Sequence, residues 1–259
     1  MAVTDPSDTR YEILVDELQQ DELSFRLHPL GAADGYLSLM EDGIGGEIPE
    51  NQLENVGTVR RLLNSALSLI DDLLELARAE AGQLQLEYAP TDVREATREM
   101  TEEYRAQAEK AGLTLSLDVP DELSTIESDP TRIRQAVSNL VSNAIKYTPP
   151  GGRVRVSVTE DQTPSRGRDH GWVCVDIQDT GPGIAPEQQK LLFQEFTRLD
   201  PGEKKGAGIG LAISQKIIRA LDGEITVQSE SGKGSTITLW LPLRRVGERR
   251  GEQRTSLDG

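Results

Sequence analysis

Residues 53 to 80 carry the clearest hydrophobic pattern in the sequence. Apolar side chains recur there at alternating steps of three and four residues, which is the spacing of a heptad seam. The seam comprises Val56, Val59, Leu63, Ala66, Ile70, Leu73 and Ala77. Further leucines flank it, at positions 62, 69 and 76 on one side and at 67 and 74 on the other. A stripe this wide is typical of a helix in a four-helix bundle.

A second helical face lies upstream, in a segment from about residue 11 to residue 41. Its apolar positions are Leu23, Leu27, Leu30, Ala33, Leu37 and Met40. Pro29 is expected to kink this helix because proline removes a backbone donor and clashes with the preceding turn. Turn-forming residues at 42–49 separate the two helices, which predicts a helical hairpin. Since two such helices cannot cover their own apolar faces, we expect a homodimer through residues 21–82.

The pattern changes after Ala81 and Gly82, where the long helix is predicted to end. Short alternating apolar runs, typical of strands, then intermingle with helical stretches, which predicts an α+β fold with helices layered on one sheet. The predicted strands lie at 113–117, 154–158, 173–177, 224–227 and 236–241, and the predicted helices near 91–110, 130–147, 186–197 and 208–221. A polar connection at 163–170 contains His170, which we expect to be exposed and chemically inert.

Composition narrows the class of protein. The 259 residues include 44 acidic and 28 basic side chains, a formal charge of −16, so the mean field would repel a nucleic-acid backbone. Cys174 is the only cysteine, lies in an apolar run, and excludes an internal disulfide. No apolar run approaches the roughly 18 residues of a membrane span, and the N-terminus lacks signal-peptide features. We therefore expect a cytoplasmic protein with a disordered tail at 244–259.

Polar side chains interrupt the apolar pattern of the predicted helix at 130–147. Asp129 and Pro130 form a helix start, and Asn139 and Asn143 are four residues apart, so they share a face, with Lys146 one turn onward. Amides and an ammonium on one face can hold hydrated magnesium and the phosphates that it bridges. The alternative is an ordinary solvated helix face, although asparagine is a poor helix former.

Two glycine clusters follow. Asp179-Thr-Gly-Pro-Gly183 places a carboxylate, able to accept from the exocyclic amine of adenine, just before Gly181 and Gly183; an ordinary turn is the alternative. Gly206, Gly208 and Gly210 precede a helix whose start can donate backbone N–H groups to a phosphate. This cluster is neither a Walker loop nor a dinucleotide fingerprint.

In this order the motifs resemble the asparagine, first glycine, phenylalanine and second glycine boxes of the sensor histidine kinase and gyrase-like ATPase superfamily. Phe193 and Phe196 match the phenylalanine box, and the segment 232–236, which includes Ser235, matches the closing strand motif. The resemblance spans about residues 20 to 243 and implies a dimeric helical hairpin followed by an α/β-sandwich domain that binds ATP and Mg²⁺.

The resemblance also implies residue roles. Asn143 would ligate magnesium, Asn139 and Lys146 would meet phosphates, and Asp179 would read adenine. Tyr147 would pack on the nucleotide, and Arg198 would reach the γ-phosphate. The remaining nucleotide-contacting positions would be Gly181, Gly183, Gly206, Gly208, Gly210 and Ser235. Residues 1–20 would be an input helix or linker, 21–82 the dimerisation and phosphoacceptor-like hairpin, and 88–243 the catalytic domain.

The acceptor segment departs from the family pattern His-Glu-Leu-Arg-Thr-Pro-Leu. When the proline is aligned on Pro29, Ser24 stands in place of the phosphoacceptor histidine and Phe25 in place of the neighbouring acid. An imidazole is the nucleophile in the family, and the acid orients it. His28 lies one turn after Ser24 and is either a displaced acceptor or a histidine without chemistry.

Two interpretations of function therefore remain. In the first, the chain is a two-component kinase core that phosphorylates His28 and passes the phosphoryl group to a response-regulator aspartate. In the second, it is a pseudokinase, a dimeric ATP-binding module that signals without histidine autophosphorylation. A gyrase-like ATPase or chaperone is disfavoured because its transducer domain is absent and the heptad hairpin is present. An upstream sensor, fused or separate, is the expected source of the signal.

Overall fold

The computed structural model describes residues 20–44, 46, 48–161, 171–197 and 208–244, and of residues 20–29 and 50 only the backbone. Several expectations lie outside this part of the chain, namely those on residues 1–19, on the 163–170 connection, on Arg198 and Gly206, and on the tail from residue 245. The chain divides into two compact units, Met1–Leu84 and Gln85–Gly259.

The first unit is a helical hairpin, as the apolar pattern predicts. Helix α1 (Gln20–Glu41) continues through Pro29, and α2 (Glu50–Glu80) ends where Gly82 takes a positive φ of 66°. The two helices pack against each other, and Arg60 of α2 pairs with Asp34 of α1, with 3.2 Å between Nε and Oδ1, and also with Glu41. No described helix is long and apolar enough to cross a membrane.

The second unit is built around a five-stranded sheet with the strand order β2-β4-β5-β7-β6. These strands are β2 (Thr114–Asp118), β4 (Arg153–Asp161), β5 (Trp172–Asp179), β6 (Glu224–Glu230) and β7 (Gly234–Pro242). Only β2 and β4 are parallel, and the other pairs are antiparallel. A separate ribbon pairs β1 (Ala89–Thr91) with β3 (Ile126–Ser128), two short strands that the alternation pattern did not predict.

Helices cover this sheet in one layer. They are α3 (Val93–Glu103), α4 (Arg105–Lys110), α5 (Pro130–Tyr147), α6 (Pro186–Gln189) and α7 (Gly210–Ala220). Helix α5 is central, because it packs against α3, α7 and strands β4 and β5. The predicted α+β architecture is confirmed, and Cys174, which lies in an apolar run of the sequence, is buried within β5.

Two predicted helices have different bounds in the structure. The helix expected near 91–110 is broken at Tyr104 into α3 and α4. The helix expected near 186–197 is wrong over most of its length, since it ends at Gln189 and turns follow to Thr197. Phe196, near the end of the predicted helix, has a left-handed φ of 56° that is incompatible with a right-handed helical turn at that position.

Candidate functional site

Helix α5 is fixed at its first residue by Asp129. The Asp129 Oδ1 atom accepts hydrogen bonds from the backbone N–H groups of Thr131 and Arg132, at 2.9 and 3.1 Å. Pro130 occupies the first helical position, where a missing N–H costs nothing. Five apolar residues of this helix are all buried: Ile133, Val137, Leu140, Val141 and Ala144. The rotation of α5, and thus the direction of its polar face, is set by these contacts.

Asn139 joins α5 to the beginning of α7. Its Nδ2 atom donates to the Gly210 carbonyl oxygen at 3.3 Å and to Ser214 Oγ at 3.2 Å. A Cβ atom at Gly210 would lie in ordinary contact, 3.6 Å from the Asn139 Cγ atom. Ser214 is completely buried, and the sequence motifs did not single it out, since one serine inside a helix carries no recognisable signal. The asparagine box and the second glycine box are therefore in direct contact.

The remaining polar residues of α5 continue along the same helix. Asn143 is half-buried one turn after Asn139, and the Lys146 ammonium lies 4.9 Å from the centre of the Tyr147 ring. From Asn139 to Tyr147 the helix rises about 12 Å, at about 1.5 Å per residue. This distance is comparable to the length of a nucleoside triphosphate.

The polar row of α5 comprises Asn139, Asn143, Lys146 and Tyr147. Asp179 is the last residue of β5 and lies at the Tyr147 end of this row. Its Oδ1 atom accepts from the Gly181 N–H at 2.7 Å. Burial raises the pKa of the Asp179 carboxyl group, while hydrogen bonds from the backbone N–H groups of Gly181 and Ser235 act in the opposite direction. A half-buried carboxylate that retains acceptor capacity is suited to one specific polar contact.

Glycines are required around Asp179 because the backbone is crowded there. A Cβ atom at Gly181 would lie 2.7 Å from Asp179 Oδ1 and 3.2 Å from the Tyr147 carbonyl oxygen, which places this turn directly against the end of α5. Gly183 has a φ of 69°, and a Cβ atom there would overlap the Glu230 carbonyl oxygen. The predicted turn is real, and it also brings the backbone against α5 and the β6–β7 connection.

Ser235, in β7, lies next to the turn that follows Asp179. Its Oγ atom is 2.9 Å from Ser229 Oγ, which also accepts from the Ile184 N–H at 2.8 Å. Ser229 was not identified from the sequence, because the partners of its hydroxyl group come from two separate segments, at Ile184 and at Gly234 and Ser235. The two serines hold the first glycine box on the β6–β7 hairpin, and direct contact of Ser235 with a nucleotide stays a prediction.

The phenylalanine box forms turns between α6 and the second glycine box. Phe193 is half-buried, whereas Phe196 is 57% exposed. The Thr197 carbonyl oxygen lies against Gly208, where a Cβ atom would be only 2.6 Å away and where φ is 75°. Ser24 and His28 lie one turn apart on α1, and the structure describes only their backbone.

A mixed sheet with one helix layer, an asparagine-bearing central helix and an Asp-Gly turn define the class of ATPase shared by histidine kinases, DNA gyrase B and HSP90. Residues 128–245 match the family described as "Histidine kinase-, DNA gyrase B-, and HSP90-like ATPase". Residues 27–82 match the "His Kinase A (phospho-acceptor) domain". The chain belongs to the sensor histidine kinase family and carries its catalytic core.

Proteins with similar sequences agree with this assignment. The chain is 36% identical over 188 residues to the adaptive-response sensory kinase SasA of a Synechococcus strain, covering 72% of this chain and 48% of the relative. It is 33% identical to the sensor protein GacS of Pseudomonas syringae pv. syringae over 224 residues, 85% of this chain and 24% of that protein. The chain thus spans about half or less of these two relatives.

Solved structures show the same architecture. Full-length ShkA in complex with AMPPNP has a TM-score of 0.71 and 29% identity, covering 91% of this chain and 46% of ShkA. The Acinetobacter baumannii histidine kinase AdeS has a TM-score of 0.58 and 26% identity, over 85% of this chain and 98% of that structure. Both structures therefore share the architecture of this chain over most of its length.

Proposed function

We propose that this chain is the ATP-binding core of a two-component signalling kinase. The observation that carries the proposal is the alignment of Asp179 and Gly181, the polar row of α5 and the start of α7. In this arrangement Asp179 accepts from the adenine amine, Tyr147 packs on the nucleotide, and Lys146 meets the phosphates. The backbone N–H groups at Gly208 and Gly210 receive a phosphate at a helix start.

Magnesium is part of the proposal. The described residues contain no cluster of three or more acidic, histidine or cysteine side chains that could hold a metal ion. A site with few protein ligands fits Mg²⁺, which is commonly held by one or two protein oxygens together with substrate phosphates and water. Asn143 would supply the amide oxygen. When bound, the ion would neutralise the negative charge of the phosphates.

In the full activity, the γ-phosphoryl group passes to a histidine of the hairpin and then to a response-regulator aspartate. His28 is the only histidine in the hairpin. The pseudokinase is the second candidate, and Ser24 and Phe25 favour it because they remove the family's nucleophile and the acid beside it. In either case we propose a homodimer through the hairpin, with a response regulator or another signalling protein as partner and an upstream sensor supplying the signal.

Incubation with γ-labelled ATP and Mg²⁺ separates these candidates. Acid-labile label that is lost in His28→Ala supports the kinase, whereas nucleotide binding without label supports the pseudokinase. Acid-stable label that is lost in Ser24→Ala identifies a hydroxyl acceptor and contradicts both. A melting temperature that does not rise with excess ATP and Mg²⁺ argues against the binding site itself, because specific binding stabilises the folded state by mass action.

A further inference from the structure

An ion pair joins the phenylalanine box to α7. The Lys216 Nζ atom donates to Glu195 Oε1 at 2.8 Å, and the two side chains are only 25% and 24% exposed. Glu195 lies in the turns after α6, and Lys216 lies in the middle of α7. The pair therefore links two segments that are 21 residues apart in sequence.

The residues next to Glu195 need to be held in place. Phe196 has a φ of 56°, a costly conformation for a bulky side chain, and its ring is 57% exposed, so ring burial offsets little of that cost. The following residue, Thr197, places its carbonyl oxygen against Gly208. A strained backbone of this kind persists only where its surroundings fix it.

Within the described residues, these contacts form a closed ring of interactions between segments of the chain. It runs from Lys216 through the ion pair to Glu195, along the chain to Thr197, across to Gly208, and back along α7. We propose that the Glu195–Lys216 pair is a clamp that positions the first turn of α7 for the phosphates of ATP. Both are positioning residues, since they act through Thr197 and Gly208. This inference rests on the proposed binding of ATP at that turn.

The charge of each residue and its proposed role in the clamp predict different changes in ATP affinity for two single variants. Glu195→Gln removes a negative charge, so electrostatics alone would strengthen the binding of an anionic nucleotide. Lys216→Met removes a positive charge, so electrostatics alone would weaken it. A clamp requires both variants to weaken ATP binding, because each breaks the same ring.

The test is titration calorimetry of ATP with Mg²⁺, together with competition by adenosine, which has no phosphates. We expect each single variant to bind ATP about fivefold more weakly, the effect of losing a partly exposed ion pair of about 1 kcal/mol. Adenosine affinity should not change, which also shows that the domain is folded. The charge reversal Glu195→Lys with Lys216→Glu should restore ATP affinity. Glu102→Gln, which breaks an exposed pair with Arg105 on α3 and α4, is the matched control and should have no effect.

Three results would overturn the clamp. They are unchanged or tighter ATP binding in Glu195→Gln, equal losses of ATP and adenosine affinity in the single variants, or failure of the charge reversal to restore binding. The last result, if it accompanied a large loss in Lys216→Met, would make Lys216 a direct phosphate ligand. Absence of ATP binding by the unaltered chain is a different failure, because it would remove the proposed function and the clamp with it.

Discussion

The two units of this chain differ in how far their apolar side chains are buried. In the ATPase unit, the sheet-facing residues of α5 are almost completely buried, and Leu191 and Phe196 are the exposed large apolar residues in its described part. In the hairpin, Val59 and Leu62 on one face of α2 are 51% and 59% exposed, and Leu69 continues that face. A unit that covers its own core can fold alone, whereas a helix with an uncovered apolar face is suited to association.

The chemistry differs in the same way. The ATPase unit keeps the family's motifs in contact with one another, as the hydrogen bonds from Asn139 to Gly210 and from the Ser235 N–H to Asp179 show. The hairpin keeps the helical pattern but lacks the family's acceptor residues at Ser24 and Phe25. In the proposed function, nucleotide binding and phosphoryl acceptance would depend on separate parts of the chain, so that one could be lost without the other.

The largest expected effect tests the exposed face of the hairpin. Leu62→Glu places a charge on that face in both copies of the proposed dimer. Loss of two buried leucines costs about 3–6 kcal/mol, which weakens the dimer by at least roughly a hundredfold. Sedimentation equilibrium measures this change. Asn64→Glu, also exposed but about 160° around α2, is the control and should stay dimeric. A wild-type chain that is monomeric at all concentrations would contradict the dimer.

The next test concerns the crowding within the ATPase unit. Gly234 has a φ of 99°, and a Cβ atom there would overlap the Asp179 carbonyl oxygen, whereas Gly232, with a φ of 82°, has open space around it. Gly234→Ala should lower the free energy of unfolding by about 3 kcal/mol, from strain and overlap together. Gly232→Ala should lower the free energy of unfolding by only about 1 kcal/mol, because it introduces backbone strain without overlap. Urea denaturation compares them, and equal losses would show that the close approach is not tight.

Asp179→Asn tests recognition of adenine. The amide retains an acceptor for Gly181 but can present an N–H₂ group to the adenine amine, which is also a donor. We expect roughly a hundredfold weaker ATP binding, about 2–3 kcal/mol for a charge-assisted hydrogen bond. The control is Asp176→Asn, three residues earlier on β5, whose Oδ1 accepts from Thr238 Oγ1 at 2.6 Å. Calorimetry with ATP should separate the two variants, and similar affinities would remove Asp179 from the site.

The smallest effect is the pH dependence that Asp179 gives to stability. Its folded-state pKa is raised above the usual 3.8, so the folded state binds more protons than the unfolded state in the interval above that value. Its contribution to the free energy of unfolding therefore falls as pH rises through this interval, and it is most favourable below it. Urea denaturation of the nucleotide-free protein at several pH values should give a more negative slope for wild type than for Asp179→Asn. Other shifted carboxyl groups, such as Asp72 and Asp92, contribute to both proteins, so identical slopes would contradict the raised pKa.

Strong periodicity was sufficient to predict the long helix α2, the helix α5 with its buried face, and the five strands of the main sheet. The strands β1 and β3 were missed, because three residues are too few to show alternation. The helix predicted near 186–197 was wrong beyond Gln189, and no local apolar pattern indicates the left-handed φ that Phe196 adopts near its expected end. Propensity is a weak guide wherever tertiary contacts fix the backbone.

The sequence by itself determined the order of the motifs, the family to which the chain belongs and the departure at Ser24 and Phe25, because these are properties of residue identity and spacing. Only the tertiary structure showed that Asn139 bonds to Gly210 and Ser214, that Ser229 supports the first glycine box, and that Glu195 pairs with Lys216. Each of these contacts joins residues far apart in the chain. Their partners are chosen by the packing of α5, α7 and the sheet, and packing leaves no local pattern from which they could be read.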